Sequence, residues 1–459
     1  MLKNISKIKS EPGPGVSTQS RQSAQVKHFG ENNRLRLEDR AAHDWYRFVL
    51  SFPPHLVRQC IDFFQLEEGD IILDPFCGTG TTLVECKKRG IKSIGLEANP
   101  MASFASRVKL EWNLDEAELL KHAQAVAAAA NARLKAQGLE DDQGLPLFRR
   151  TGEAPGNLKD LTSEEHKLLL KNSISPLPLH RILELMDSLK KGKDEKYHEH
   201  ELLALAKTIV FGASNLNFGP EVGVGAIKHD APVISIWLNN VRAMAEDIER
   251  LRMLPETKSQ VHAVDARSPN NVLAQGSVSA VITSPPYPNE KDYTRTTRLE
   301  SVLLGLLSTR DQLRTVKKNL LRSNTRGVYK NDADDKFIAD HKGVQRIAEL
   351  IESRRIEMGK TSGFERLYGR VTRLYFGGMA QHLSNLRPAL RPGAKLAYVV
   401  GDQASYLRVM IRTGQLLADI AHRLGYEVLG IDLFRTRLST ATREQLREEI
   451  VFLRWPGEK

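Results

Sequence analysis

Apolar and polar positions along the chain predict strands alternating with helices in its first hundred residues. Residues 70–74 (DIILD) form a short apolar run that ends in an acidic residue, and a glycine-rich turn follows. Residues 81–90 (TTLVECKKRG) then have the pattern of a helix that ends at Gly90. Residues 91–97 (IKSIGLE) predict a second strand. Strand, turn, helix and strand in this order are typical of the start of a doubly wound α/β sheet.

The alternation stops after residue 112 and returns near residue 259. Between these points the pattern is largely helical, and residues 232–254 predict an amphipathic helix. Further strand patterns occupy residues 259–266, 277–283, 395–402, 426–434 and 448–455. We therefore expect a doubly wound, mostly parallel, seven-stranded Rossmann-like sheet with helical insertions.

The same patterns divide the chain into six segments. They are a polar tail expected to be disordered (1–40), the first part of the core (41–112), a helical insertion (113–230), a second part of the core (231–304), a basic insertion (305–380) and the last part of the core (381–459).

Composition indicates a globular protein with an excess of positive charge. Hydrophobic residues make up 41% of the 459 residues, and Lys plus Arg exceed Asp plus Glu by 67 to 56. A polyanion such as nucleic acid would suit this excess, and so would ordinary solubility charge. The three cysteines favour a reducing cytosol over a disulfide framework, and no Cys/His cluster has zinc spacing. With no long apolar run and no signal-peptide core, we expect a cytoplasmic protein without membrane or metal.

The glycine turn after the first strand has the features of a ligand-binding turn. Gly78 and Gly80 allow the backbone to approach a ligand closely, at the strand end where open α/β sheets bind ligands. The turn lacks the longer glycine pattern of a pyrophosphate site and the lysine of a triphosphate site. The turn residues expected to contact a ligand are Pro75, Phe76, Gly78, Gly80, Thr81 and Thr82.

Acidic residues at three successive strand ends define that ligand. We expect Asp74 to accept a hydrogen bond from an ammonium group, Glu97 to bind two ribose hydroxyls, and Asp265 to meet an adenine amino group. Together these groups describe S-adenosyl-L-methionine. The alternative is a tight turn with three strand-end caps.

Two motifs then carry a resemblance to a known family. The turn DPFCGTGTT (74–82), followed by a strand that ends in Glu97, and the later TSPPY (283–287) resemble those of the amino-directed DNA methyltransferases. The resemblance covers residues 45–112 and 256–455. It implies methyl transfer from S-adenosyl-L-methionine to cytosine N4 or adenine N6.

The resemblance also assigns roles to two proline-containing segments. Phe52 and Pro53 resemble part of an additional motif that closes over the methionine end of the cofactor. The segment Ser284-Pro285-Pro286-Tyr287 resembles the catalytic loop. There the serine side chain and the first proline's carbonyl would accept hydrogen bonds from the amine, the prolines would keep that carbonyl fixed, and the tyrosine would stack on a flipped base. The alternative is an ordinary turn after a strand.

Serine at position 284 favours cytosine N4, although some adenine-N6 enzymes of the family also carry serine. The cofactor motif precedes the catalytic motif here, whereas many cytosine-N4 enzymes have the opposite order. An RNA guanine-N2 methyltransferase and a non-catalytic DNA-binding subunit are the other candidates. Asp292 and Tyr293 either shape the base pocket or cap the next helix.

Target recognition is expected from an insertion, because no separate domain fits between the core motifs. Residues 310–330 carry seven Lys or Arg against one Asp, a composition suited to phosphate contacts with double-stranded DNA. Candidate DNA-binding residues there are Arg314, Lys317, Lys318, Arg322, Arg326 and Lys330, and Arg322, Asn324 and Arg326 are the candidates for base edges. A solvated helix face is the alternative. A cognate restriction or defence protein is a possible partner.

Overall fold

The computed structural model describes residues 35–47, 51–141, 156–219, 221–289, 291–438 and 444–458. Most of the predicted tail, residues 1–34, lies outside this part of the chain. The strands are β1 (Ile71–Asp74), β2 (Lys92–Leu96), β3 (Leu216–Phe218), β4 (Val222–Val224), β5 (Ser259–His262), β6 (Val278–Thr283), β7 (Leu390–Gly401), β8 (Glu427–Leu438) and β9 (Gln445–Arg454).

The helices fall between these strands in chain order. They are α1 (Arg40–His43), α2 (Pro54–Phe64), α3 (Thr81–Lys88), α4 (Pro100–Val108), α5 (Glu116–Ala136), α6 (Ser163–His166), α7 (Pro176–Lys191), α8 (His198–Lys207), α9 (Val233–Leu251), α10 (Tyr293–Thr296), α11 (Arg298–Leu303), α12 (Arg310–Lys318), α13 (Lys342–Glu357), α14 (Tyr368–Leu386) and α15 (Thr413–Arg423). A 3₁₀ turn, Thr325–Gly327, follows α12. No described helix is both long enough and apolar enough to cross a membrane.

Seven strands form one sheet in the order β5-β2-β1-β6-β7-β9-β8. The first five in this order run parallel, and β9 pairs antiparallel with both β7 and β8. The predicted mostly parallel, seven-stranded Rossmann-like sheet is confirmed. Because β1 lies between β2 and β6, the strand order reverses beside it, and ligands bind open α/β sheets at such a point.

Alternate residues of the central strands face two different helix layers. Ile72 and Ile282 lie in an apolar cluster with α2, whereas Leu73 and Val281 lie in a cluster with α14 and α15. Side chains alternate between the faces of a strand, so a strand covered on both faces needs a continuous apolar run. This requirement explains why the central strands are apolar without alternation.

The insertion between β2 and β5 is helical and has its own buried cluster. Helices α5, α7, α8 and α9 pack together in it, and the cluster extends to α3 and α4. The amphipathic helix predicted over 232–254 is confirmed as α9, whose Trp237 is fully buried and donates its indole N–H to the Glu201 carbonyl oxygen at 2.9 Å. The short β3–β4 hairpin, which lies between α8 and α9, was not predicted.

The strand predicted over 259–266 ends earlier than the sequence suggested. β5 stops at His262, and the Val264 N–H donates back to the His262 carbonyl oxygen at 3.0 Å, so the chain turns. Asp265 therefore lies in a turn beyond β5 rather than at its last position.

Candidate active site

One cleft of about 300 Å³ opens at the carboxyl ends of the central strands and receives most of the predicted site residues. The catalytic-loop residues lining it are Ser284, Pro285, Pro286 and Tyr287. The predicted cofactor residues lining it are Phe52, Pro53, Pro75, Phe76, Gly78, Thr81, Glu97 and Asp265. The two predicted groups thus face the same space, although about 200 residues separate their motifs.

The glycine turn is shaped by two residues with positive φ. Gly78 has φ +52°, and nothing lies within 4 Å of where a Cβ would stand, so this side of the turn is open. Gly80 has φ +84°, and a Cβ there would lie 2.5 Å from Ser106 Oγ. Gly78 therefore leaves room for a ligand, whereas Gly80 serves the packing of the turn on α4.

Asp74 is fully buried beneath the cleft and does not line it. Its carboxylate accepts hydrogen bonds from Thr82 Oγ1 and Thr283 Oγ1, each at 2.6 Å, and from the Phe76 N–H at 3.1 Å. Burial raises the pKa of Asp74 to about 6, against the opposing effect of these donors. The predicted contact with an ammonium group is corrected: Asp74, with Thr82, ties the glycine turn to the strand that leads into the catalytic loop.

Glu97 lies beside the open side of the turn. Its carboxylate accepts hydrogen bonds from the Gly78 N–H at 2.9 Å and the Asn99 N–H at 2.7 Å. Burial raises the pKa of Glu97 to about 7, although these two backbone donors favour the charged form. The Ala98 N–H is a third backbone donor to this carboxylate, and its two oxygens together keep lone-pair capacity for a further donor.

Asp265 also lines the cleft, and Arg267 binds its carboxylate. The Arg267 Nη2 donates to one Asp265 oxygen at 2.7 Å, and the Arg267 backbone N–H donates to the other at 2.9 Å. The ion pair fixes the orientation of the carboxylate at the edge of the cleft.

The catalytic-loop segment follows β6, and hydrogen bonds hold Ser284 and Tyr287 in position. The Ser284 hydroxyl donates to the Val399 carbonyl oxygen on β7 at 3.1 Å. The Tyr287 N–H donates to Tyr293 Oη at 3.3 Å, and the Tyr287 ring lies so close to Gly401 that a Cβ there would be 2.9 Å from it. Gly401 therefore provides the space that the Tyr287 ring occupies.

Comparison with known proteins agrees with this arrangement. Residues 16–103 match a family described as DNA methylase. The chain is 27% identical to the Type II methyltransferase M.BsoBI of Geobacillus stearothermophilus over 454 residues, which cover 91% of this chain and 85% of that one. It is 24% identical to the Type II methyltransferase M.AvaI of Nostoc sp. over 431 residues, covering 90% and 86% of the two chains.

These similarities support an amino-directed DNA methyltransferase family for this chain. Methyltransferases of this type use S-adenosyl-L-methionine. The open side of Gly78, the free lone pairs of Glu97 and the neighbouring Phe52 and Pro53 fit such a ligand, because they offer space, acceptors and apolar surface in one cleft.

The chain also matches an RNA methyltransferase over a shorter stretch. A tRNA (guanine(10)-N2)-dimethyltransferase of Methanocaldococcus jannaschii is 40% identical over 62 residues, which cover 13% of this chain and 18% of that one. The similarity is thus confined to a short stretch, whereas M.BsoBI and M.AvaI match along most of both chains.

The basic segment of the methyltransferase divides into buried and exposed cations. Arg322 is 4% exposed, and its guanidinium binds Asp332 at 2.8 and 2.9 Å as well as nearby backbone carbonyls. Arg322 also lines the cleft, and its contact with base edges stays a prediction, although these acceptors occupy the guanidinium in the free protein. Arg314, Lys318, Arg326 and Lys330 are exposed.

Lys317 is not a free surface cation, because it forms an ion pair within the protein. Its Nζ lies 2.8 Å from Asp292 Oδ2, and both side chains are largely buried at the edge of the cleft. Asp292 also caps α10, since its Oδ1 accepts the Thr294 N–H at 3.0 Å. The helix-capping interpretation of Asp292 is thus confirmed, although the residue lines the cleft as well.

Sequence reasoning missed the wall that β8 and β9 contribute. Phe434, Arg435 and Glu448 line the cleft next to Tyr287, and Arg435 Nη2 lies 2.9 Å from Glu448 Oε1. No motif signals these residues, because the last two strands of the chain, β8 and β9, bring them to the site. Lys291 and Asn324 also line the cleft.

Proposed function

We propose that this protein transfers a methyl group from S-adenosyl-L-methionine to an exocyclic amine of a base flipped out of double-stranded DNA, with cytosine N4 as the target. The observation that carries the proposal is the Ser284 hydroxyl. It donates its one hydrogen to the Val399 carbonyl oxygen and also shares a side-chain hydrogen bond with Tyr287, so one lone pair is left to accept from a group in the cleft. An amine is such a group.

The amine needs acceptors because its lone pair is delocalised into the ring of the base. Ser284 Oγ and the Pro285 carbonyl would hold the amine hydrogens and favour a more tetrahedral nitrogen. Because Pro285 and Pro286 have fixed φ angles, the loop would change little during the reaction. Tyr287 would stack on the base, and its ring is supported from behind at Gly401.

The glycine turn and its neighbours would hold the methyl donor. When bound, S-adenosyl-L-methionine supplies a methyl group on a positively charged sulfur. Glu97 would accept hydrogen bonds from the ribose hydroxyls, Asp265 would face the adenine, and Phe52 would cover the methionine end. Both reactants would then share one cleft, and holding them together supplies part of the rate.

Two further features support the choice of target and context. Serine instead of aspartate at position 284 resembles the family's cytosine-N4 members, with adenine N6 as the second candidate. M.BsoBI and M.AvaI are named as Type II methyltransferases. By analogy we propose a restriction-modification role, with a cognate nuclease as partner.

Ser284→Ala tests the proposal. Purified protein would be incubated with labelled S-adenosyl-L-methionine and unmodified genomic DNA or total RNA, and the products digested to nucleosides for mass spectrometry. We expect N4-methylcytosine from the wild type and a loss of about 100-fold in rate for Ser284→Ala, the usual effect of removing one group that stabilises a transition state. Cofactor affinity should stay unchanged.

Ser277→Ala is the matched control, because Ser277 also donates to a carbonyl oxygen, that of Ala274, but lies outside the cleft. N6-methyladenine would keep the mechanism and change the target base. Methyl groups in RNA alone would reject the DNA assignment, and cofactor binding without transfer would favour a non-catalytic subunit.

A further inference from the structure

Two arginines meet one carboxylate at the mouth of the cleft. Arg326 Nη1 lies 3.3 Å from Glu221 Oε2, and Arg295 Nη1 lies 3.8 Å from the same oxygen. The three residues are far apart in sequence: Glu221 precedes β4 in the helical insertion, Arg295 lies on α10 and Arg326 lies in the 3₁₀ turn after α12. The carboxylate thus reaches across from the insertion to the side that carries the catalytic loop.

Both arginines stand next to residues that line the cleft. Arg295 follows the catalytic loop by eight positions, and Arg326 lies between Asn324 and Gly327, which both line the cleft. The Asn324 side-chain amide donates to the Lys291 carbonyl oxygen at 3.1 Å, which joins the two segments. A group bound between the arginines would therefore sit beside whatever occupies the cleft.

The charges around this point favour an anion. Lys291 and Arg437 line the cleft as well, and Glu221 and Arg437 are both close enough to Lys291 to affect its pKa, although burial is the main cause of its lowering. Arg295 Nε is buried and has no hydrogen-bond partner, so one donor of this guanidinium is unused. Two acids, Glu221 and Glu448, face these four cations, and Glu448 is shared between Arg437 and a further cation, Arg435.

A carboxylate between two guanidinium groups occupies a position that a phosphate would also fill. Carboxylate and phosphate oxygens both accept charge-assisted hydrogen bonds from arginine, and a phosphate offers more oxygens. Glu221 is 48% exposed and Arg326 37% exposed, so their ion pair is screened by water and easily exchanged. Arginines from two separate elements also suit a phosphate better than a single base edge, which is read by one planar fork.

We propose that Arg295 and Arg326 bind a backbone phosphate of the DNA strand next to the flipped base, and that Glu221 occupies this phosphate site in the free protein. The inference rests on the proposed function, since DNA supplies the phosphate. Glu221 then acts as an internal competitor that DNA displaces when it enters the cleft.

The test measures binding of a fluorescent duplex of random sequence at several salt concentrations. Glu221→Gln should tighten binding about two- to fivefold, because the competing charge is lost while the side-chain shape is kept. Arg295→Gln and Arg326→Gln should each weaken binding and lower the slope of log K against log salt by about 0.9, the value of one phosphate contact. In the Arg326→Gln background, Glu221→Gln should no longer give its full gain.

Matched controls come from exposed ion pairs outside the cleft. Glu118→Gln removes an equally exposed acid that binds Lys121, and Arg107→Gln removes an arginine that binds Glu199. Arg295→Lys and Arg326→Lys keep the charge and should retain most of the slope, and unchanged cofactor affinity would confirm that each variant is folded.

Each alternative outcome is distinguishable. If Glu118→Gln tightens binding as much as Glu221→Gln, or if the arginine variants behave like Arg107→Gln, the phosphate site is rejected while the methyltransferase proposal stands. If Glu221→Gln changes binding of an RNA duplex but not of DNA, the DNA assignment of the site is rejected. If the wild type neither binds nor methylates DNA, both proposals are rejected.

Discussion

The Glu97 carboxylate illustrates how a single side chain acquires a property that its sequence position does not reveal. It stands at the open side of the glycine turn, and burial raises its pKa to about 7, while bonds from the Gly78 and Asn99 N–H groups oppose the shift. A carboxyl group with a pKa of about 7 changes its hydrogen-bonding capacity near neutral pH. Protonation removes acceptor capacity, because one oxygen then carries a hydrogen.

We therefore predict that affinity for S-adenosyl-L-methionine rises with pH as Glu97 loses its proton. The ionised form can accept hydrogen bonds from both ribose hydroxyls, so the dissociation constant should fall by up to about tenfold between about pH 6 and 8. Titration calorimetry of the wild type and of Glu97→Gln at several pH values measures the effect. The variant should bind more weakly and with a flatter pH profile, and Glu67→Gln, an exposed residue, should behave like the wild type.

The same raised pKa makes a prediction about stability without cofactor. The folded protein binds the Glu97 proton more tightly than the unfolded chain, so the stabilisation is complete below the unfolded pKa and is lost as pH rises through about 7. Urea unfolding of the free protein should show this decrease, and Glu97→Gln should lack it. Equal pH dependence of the two proteins would contradict the prediction.

At the scale of elements, the ion pair between Lys317 and Asp292 connects the basic helix α12 with the segment behind the catalytic loop. Lys317 lies in the last turn of α12, and Asp292 caps α10. The pair is largely buried, and Lys317 is the nearer of two cations beside Asp292, since Arg298 Nη2 lies 3.9 Å from the same oxygen. The pair helps to fix α12 relative to the loop, together with Arg267, which donates to the Lys318 carbonyl oxygen at 2.8 Å.

Lys317→Met should lower the free energy of unfolding by about 3 kcal/mol, because it leaves the buried Asp292 charge with only the more distant Arg298. Lys318→Met, one position further along the same helix but exposed, should change stability by less than about 0.5 kcal/mol. Urea unfolding of the three proteins measures the difference. Equal stability of the two variants would show that the Lys317–Asp292 pair does not secure α12.

At the scale of the whole molecule, positive charge gathers on the side of the cleft that carries α12. Arg314, Lys318 and Lys330 are exposed there. The chain has a net charge of +11, so DNA binding of some kind is expected from long-range attraction alone. The position of the phosphate contacts distinguishes binding by this surface from attraction by net charge alone.

The triple variant Arg314→Gln, Lys318→Gln, Lys330→Gln should bind DNA with a salt slope smaller by up to about 3, since each phosphate contact contributes about 0.9. Cofactor affinity should not change. A control with the same loss of charge, Lys121→Gln, Lys135→Gln, Lys190→Gln, alters exposed lysines of the helical insertion and should keep the slope. Equal effects of the two variants would indicate that net charge, not this surface, binds DNA.

The order of the elements and the two motifs could be predicted because they depend on residues that are close together in the sequence. The apolar runs of β1 and β6, the glycine turn and the two prolines after Thr283 act within a few residues, so the order of elements and the cofactor and loop motifs could be predicted. Their meeting in one cleft follows from parallel strands, whose carboxyl ends lie at the same edge of a sheet. The resemblance supplied the chemistry expected there.

The tertiary structure decided which groups are free to act. Asp74 is enclosed by Thr82 and by Thr283, which lies 209 positions away, and Arg322 is held by Asp332. Arg326 meets Glu221, 105 positions away, and β8 and β9 bring a further wall to Tyr287. Whether a charge is buried and paired depends on segments that are distant in the sequence, and the sequence pattern does not show which segments those are.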